Sequence, residues 1–189
     1  MKRIFDAIVS ALLLLTLWPL LIAIAIGVKL SSPGPILFRQ TRAGREGKPF
    51  TLIKFRSMHC WPADSLVTWD EDPRVFPFGR LLREYHLDEL PQIWNVLRGD
   101  MSLVGPRPTI PEQVALYTER QRQRLSVRPG ITGLAQVSGN NALEWPKRIE
   151  VDLEYVAQVS ARADLMILWR TVGTVLRRVG VYGPDGTVR

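Results

Sequence analysis

Leu87–Ser102, LDELPQIWNVLRGDMS, places two adjacent carboxylates, Asp88 and Glu89, at the mouth of an apolar helical pattern. Asp88 fits an N-cap, and Pro91 falls in the first turn, where its missing N–H costs nothing. Leu90, Ile93, Trp94 and Leu97 recur at helical spacing, and Gly99 fits a C-cap. A helix N-terminus favours anions, so this one holds either its own carboxylates or a ligand phosphate. Arg80 and Arg83 precede the stretch, Arg98 lies within it and Arg107 follows. The plain reading of Asp–Glu at a helix start is capping and dipole compensation, and the rest of the chain has to supply any stronger one.

The chain has 189 residues, enough for one ordinary domain plus an appendage. Its formal net charge of +7 points to anionic partners: phosphates, nucleic acid or an acidic membrane face. The single cysteine, Cys60, rules out an intrachain disulfide, and with only His59 and His86 there is no Cys/His cluster of metal-site spacing. A reduced, cytosol-facing globular part is the simplest fit.

Apolar residues concentrate at the start. Ala7–Val28 contains no charged residue, and as helix would run roughly 33 Å, enough to cross a bilayer core. A cleavable signal peptide has a shorter apolar core ending in a small-residue site, and neither feature is present. Lys2 and Arg3 mark one flank as cytoplasmic, but Lys29, Arg39, Arg42 and Arg45 make the other equally basic. Pro19 sits near the middle, where it deletes a helix hydrogen bond and crowds the Leu15 carbonyl, and Thr16 is placed to re-satisfy a freed carbonyl. A spanning helix and a re-entrant one that returns to the same face both remain open on these residues.

Ser31–Pro35 (SSPGP) is a breaker cluster. ILFRQ and FTLIKFRSM read as two strands joined by the polar loop RAGREGK, with Lys54 and Arg56 on one strand face as either a solvated face or part of an anionic site. Cys60 to Phe78 reads as a long irregular loop in which Trp61 and Trp69 suit a membrane interface or a core or lid role. In MSLVGPRP, Arg107 is presented between two prolines, a stiff mounting suited to bidentate phosphate contact. Helices are expected over Pro111–Leu125, Ala142–Val159 and Asp164–Val179. The last carries Leu165, Leu168, Val172, Val175 and Val179 as one stripe, for packing on the core or lying on an anionic membrane surface.

With these residues in view, the chain closely resembles the bacterial sugar transferase family, the small monotopic phosphoglycosyl transferases. The resemblance runs nearly the whole length: the apolar leader, SPGPILFRQTRAGREGKPFTLIKFRSM, LDELPQIWNVLRGDMSLVGPRP, RPGITGLAQVSG and DLMILWRTVGTVLRR, in that order. Larger relatives carry extra membrane helices ahead of this domain, so the chain looks like the minimal form. The resemblance implies a mixed α/β fold, mostly helical, with a re-entrant membrane helix over residues 1–30 broken at Pro19. Residues 31–189 would be a cytosol-facing catalytic domain with amphipathic interfacial helices, on the cytoplasmic face of the bacterial plasma membrane.

It also implies an activity. A sugar-1-phosphate passes from a UDP-sugar to polyprenol phosphate (undecaprenyl phosphate), releasing UMP through a phosphosugar–aspartyl intermediate on Asp88, with ping-pong kinetics. Glu89 would hold Mg2+, a hard ion usually bound by one or two carboxylates plus substrate phosphates. Arg83 and Arg107 match phosphate- and nucleotide-contacting arginines, and Lys54, Arg56 and Asp152 match further substrate-binding positions.

Three positions depart from the family pattern. Trp18 stands before Pro19 where serine is common, Asn140 replaces an arginine, and His86 beside the dyad has no assigned role. The minimal form and the GNNALEW region resemble bacillosamine-type members of the family, which implies an N-acetylated amino sugar, with glucose and galactose left open. Phospholipid contact follows from the leader, and an oligomer is compatible. A nucleic-acid role is disfavoured by the scarcity of aromatic platforms among the arginines. The alternative from another class is a non-catalytic membrane-anchored module binding anionic lipid, which would not need Asp88 and Glu89.

Overall fold

A computed structural model describes residues 1–59, 68–69, 72–177 and 187–188. The expectations placed on Cys60, Trp61, the Trp69 side chain, Arg178 and Val179 lie outside the described residues. The elements are α1 (Lys2–Ser31), β1 (Leu37–Ala43), β2 (Pro49–Phe55), β3 (Thr68–Trp69), α2 (Pro77–Glu84), α3 (Gln92–Arg98) and β4 (Ser102–Val104). Then come α4 (Pro111–Ala115), α5 (Glu119–Arg122), β5 (Gly130–Thr132), α6 (Leu134–Val137), α7 (Trp145–Ala157), α8 (Ala161–Leu176) and β6 (Thr187–Val188). Among the described residues the architecture is mostly helical, with three two-stranded sheets: β1–β2 and β3–β6 antiparallel, β4–β5 parallel.

α1 is one long helix through Pro19. Proline offers no N–H to the Leu15 carbonyl. Thr16 does not make up that loss: its hydroxyl donates to the carbonyls of Leu12 (2.9 Å) and Leu13 (3.2 Å) instead. Ile4, Ile8, Leu12, Leu15, Trp18, Ile22 and Ile26 are exposed, and the helix has the length and composition to cross a membrane.

Both ends of α1 are nevertheless seated on the same body. At the first turn Lys2 pairs with Asp164 (2.5 Å), and Arg3 donates to the carbonyls of Val96 (2.7 Å) and Leu97 (2.6 Å) at the end of α3. The buried Asp6 accepts from the Ser102 hydroxyl (2.8 Å) and the Leu103 amide (3.3 Å). At the other end Ile24 and Val28 join Phe55, Phe76 and Leu82 in an apolar cluster. Lys2 and Arg3 are therefore docking residues as well as flanking charges, and Asp6 carried no signal for that in the pattern.

The second cluster, Leu52, Val96, Met101, Leu103, Val104, Tyr155 and Ile167, joins β2, α3, β4, α7 and α8. Asn95, fully buried, ties α3 to β2: it accepts from Ile53 N (3.1 Å) and donates to the Thr51 carbonyl (2.8 Å).

Several boundaries differ from the sequence expectation. Asp88 is not an N-cap, because α3 begins only at Gln92 and its Pro91 cap position has no side-chain cap. Asp88 and Glu89 instead lie in a separate 3-10 turn, Leu87–Glu89, entered through His86 at φ 54. Pro91 cannot bond the Leu87 carbonyl, which takes Leu90 N (3.3 Å) instead, so the coil tightens ahead of the helix. The expected Pro111–Leu125 helix is broken into α4, α5 and a 3-10 turn at Gln123–Ser126, because a Thr118/Gln121 capping box starts a new helix.

α7 starts at Trp145, with Pro146 in its first turn, rather than at Ala142. α8 starts at Ala161, capped by Ser160, rather than at Asp164. It divides the expected stripe: Leu168 packs against the core beside the buried Ile167, whereas Leu165 and Val172 are exposed and form an apolar face with Met166, Trp169 and Leu176.

Candidate active site

The 3-10 turn buries both acidic side chains, leaving Asp88 8% and Glu89 7% exposed. Their settings are opposite. Glu89 is gripped by two cations: Lys54 Nζ lies 2.6 Å from Oε1, and Arg107 reaches Oε1 at 2.6 Å and Oε2 at 3.2 Å. Burial alone would raise the Glu89 carboxyl, but Arg107 and Lys54 together hold it well below the ordinary carboxylate range. The Asp88 carboxylate makes no hydrogen bond or ion pair among the described residues. Burial pushes it up, with Lys54 and Arg83 opposing and Glu89 adding to the rise. The turn thus holds one neutralised carboxylate and one unengaged, poorly solvated one.

The surroundings supply more positive charge. Arg83, in the last turn of α2, is half-buried and near enough to lower the Asp88 carboxyl. Arg42, on β1, was not a sequence candidate. It donates to the Pro108 carbonyl (3.1 Å) and is braced by Gln40 (2.7 and 3.1 Å). Burial, with Arg107 alongside, brings its guanidinium down to about 10. His86 is half-buried, and burial lowers its imidazole although Glu89 pulls the other way, so it adds no charge at neutral pH. The signal for Arg42 lay in the β1–β2 register, which pairs it with Phe50 and sets it beside the Arg107 turn.

Of the residues proposed from sequence, the structure gathers Asp88, Glu89, Lys54, Arg83 and Arg107. Arg56 stands apart: it is buried, and its guanidinium donates to the carbonyls of Ser32 (2.7 Å), Pro33 (2.7 Å) and Pro35 (2.6 Å) and to the Ser32 hydroxyl (2.9 Å). That ties the breaker segment after α1 to the end of β2. Asp152 is fully buried on α7 and paired with Arg124, behind the Arg107 turn. Pro19 lies on α1 and contributes nothing to the dyad.

Among the described residues, no group of three or more His, Cys, Asp and Glu gathers as a metal site. Asp88 and Glu89 still offer two hard oxygen donors, one of them without a protein partner. That suits an ion that takes one or two carboxylates and draws its remaining ligands from substrate phosphates and water.

One turn thus sets a carboxylate without a partner among the described residues beside a charge-compensated one, with Lys54, Arg83 and Arg107 around them and a long apolar helix in the same body. The chain belongs to the bacterial sugar transferase family, whose model matches residues 1–178. It is 44% identical to an uncharacterized sugar transferase, EpsL, of Bacillus subtilis, over 96% of this chain and 90% of that one. It is 44% identical to a UDP-glucose:undecaprenyl-phosphate glucose-1-phosphate transferase of Caulobacter vibrioides, over 96% of this chain and 72% of the relative. The Escherichia coli transferase of the same description is 47% identical over 91% of this chain, which spans only 39% of that protein.

Proposed function

We propose that the chain moves a sugar-1-phosphate from a UDP-sugar to undecaprenyl phosphate, releasing UMP, at the cytoplasmic face of the plasma membrane. The observation that carries the reading is Asp88: a buried carboxylate with no partner among the described residues, beside Glu89, whose charge Lys54 and Arg107 already balance. A carboxylate that is poorly solvated and unpaired is activated as a nucleophile.

The atoms balance in two steps. An Asp88 oxygen bonds to the sugar-bearing β-phosphorus, and the bond from that phosphorus to the bridging oxygen breaks, so UMP leaves with that oxygen. A lipid phosphate oxygen then attacks the same phosphorus, expels the Asp88 carboxylate and yields the polyprenyl-diphosphate sugar.

Arg83 and Arg107 stabilise the charge on the phosphates, and Lys54 holds Glu89 ionised and oriented. Mg2+, held by Glu89 with Asp88 alongside, would supply further charge neutralisation at the diphosphate. The seating of both ends of α1 on one body supports a helix that enters the membrane and returns to the same face, with Pro19 as its weak point. The exposed apolar face of α8 suits the same lipid surface. Several relatives are named for glucose or galactose, and the expected N-acetylated amino sugar gains no support from those. A purely lipid-binding module leaves the dyad without a purpose.

The test is UMP release from a panel of UDP-sugars by detergent-solubilised protein with polyprenol phosphate and Mg2+. Turnover must require lipid phosphate, stop with chelator and vanish in Asp88→Asn. Radiolabel from the β-phosphate must remain on the wild-type protein when lipid is withheld. Turnover by Asp88→Asn at the wild-type rate would sink the mechanism.

A further inference from the structure

The turn that carries Arg107 is fixed through its carbonyls. Pro106 and Pro108 have no N–H, so this stretch meets its surroundings mainly as an acceptor. Four consecutive carbonyls each receive a different donor. Pro106 accepts from Gly130 N (2.9 Å), Arg107 from Arg124 Nη2 (3.2 Å), Pro108 from Arg42 Nη1 (3.1 Å) and Thr109 from Ala43 N (2.8 Å).

The donor to Arg107 itself is thus a side chain, and that side chain has partners at both terminal nitrogens, although its buried Nε and the Oδ1 of Asp152 have none among the described residues. Arg124 pairs with Asp152, donates to the Tyr117 hydroxyl (2.6 Å), and lies 5.8 Å from the Tyr117 ring centroid and 5.7 Å from that of Trp145. Arg124 and Asp152 are 3% and 1% exposed.

A buried ion pair is a poor device for stability alone, because two charges must be stripped of water to make it. Among the described residues, the one hydrogen bond that leaves this cluster through Arg124 goes to the Arg107 carbonyl. Only the fork of an arginine reaches the Tyr117 hydroxyl, a carboxylate and a carbonyl together; a lysine ammonium cannot span them.

We infer that Asp152 and Arg124 form a buried strut, Asp152 holding Arg124 and Arg124 holding the Arg107 main chain, so that the Arg107 guanidinium stays aimed at Glu89 and the substrate phosphate. Both are positioning residues rather than substrate contacts. The inference rests on the proposed function only in giving Arg107 a phosphate to meet.

Arg124→Lys, Asp152→Asn and the milder Tyr117→Phe test it in the full chain, by hydrogen–deuterium exchange over 103–110 and by steady-state kinetics with UDP-sugar and polyprenol phosphate. Loss of one charge-assisted hydrogen bond predicts about tenfold faster exchange of the turn amides and about a tenfold rise in KM for the UDP-sugar. The KM for the lipid should not move. In an Arg107→Gln background, Arg124→Lys should add less than about twofold, because the two act as one unit.

Unchanged exchange over 103–110 overturns the strut, whatever the kinetics show. So do unchanged KM values with a lower active fraction, or effects of Arg124→Lys and Arg107→Gln that multiply. If the wild type turns over no UDP-sugar, the proposed function fails while the exchange arm still decides the strut.

Discussion

Replacing Asp6 with alanine tests where the first turn of α1 sits. Asp6 is 2% exposed, and its carboxylate is the acceptor for the Ser102 hydroxyl and the Leu103 amide. Asp6→Ala leaves both donors unsatisfied under the helix, at about 1–3 kcal/mol each, so a total near 3 kcal/mol is a moderate expectation. For a chain of this size that corresponds to roughly 6–12 °C in Tm. Asp6→Asn keeps one acceptor and should lose about half as much.

The assay is thermal unfolding of purified protein in one detergent, followed by intrinsic tryptophan fluorescence and by loss of UMP release. If α1 instead crossed the bilayer with its first turn on the far side, Asp6 would have no donors to satisfy. Asp6→Ala would then move Tm by less than about 1 °C, within the range of neutral surface changes. That result would refute the docking of α1 at both ends, and with it the structural support for a returning helix.

Other substitutions probe the site and its seat. Asp88→Asn should abolish turnover, by about a thousandfold or more, yet raise Tm at pH values above the ordinary carboxylate value of 3.8, because it removes a buried charge whose folded-state pKa is raised. The sign follows from linkage: the ionised carboxylate destabilises the fold as pH rises through its raised pKa. The gain should therefore vanish below the ordinary value of 3.8, and a gain that persists there would contradict the cause. Glu89→Gln leaves Lys54 and Arg107 without their shared anion and should cost about 3 kcal/mol as well as activity, read by denaturant midpoint. Gly79→Ala sets a Cβ 2.1 Å from the Ser57 carbonyl oxygen, so α2 and its Arg83 must shift, costing about 1–3 kcal/mol and most of the turnover. Trp169→Asp, at a position 81% exposed, should leave Tm in detergent within about 1 °C but weaken retention on phospholipid vesicles in a flotation assay; unchanged retention would remove α8 from the lipid surface.

Much of the site was legible because its chemistry is written locally. Asp88 and Glu89 are adjacent, Arg107 is framed by prolines, and Lys54 lies on a strand whose pattern is plain, so residue type and spacing marked them out and the family resemblance gave them roles. The hairpin and the long apolar helix were legible for the same reason, since period and length are properties of the chain alone.

What depends on distant partners was not legible. Asp88 looks like an N-cap until Pro91 is seen to leave the Leu87 carbonyl to a tighter turn. Arg56 and Lys54 read as equivalents two residues apart, yet one is committed to the Ser32–Pro35 carbonyls and the other to Glu89. Arg42 and Arg124 gain their places from strand pairing and from a helix far along the chain.

The sequence by itself therefore determined the apolar leader, the acidic dyad, the rigid arginine and the positive charge around them, since each is a matter of composition or short-range spacing. Only the tertiary structure decided which carboxylate is neutralised and which is left unengaged, and that both ends of α1 rest on one body. Those are outcomes of which buried donors find which acceptors, and buried groups choose partners by distance in space rather than by distance along the chain.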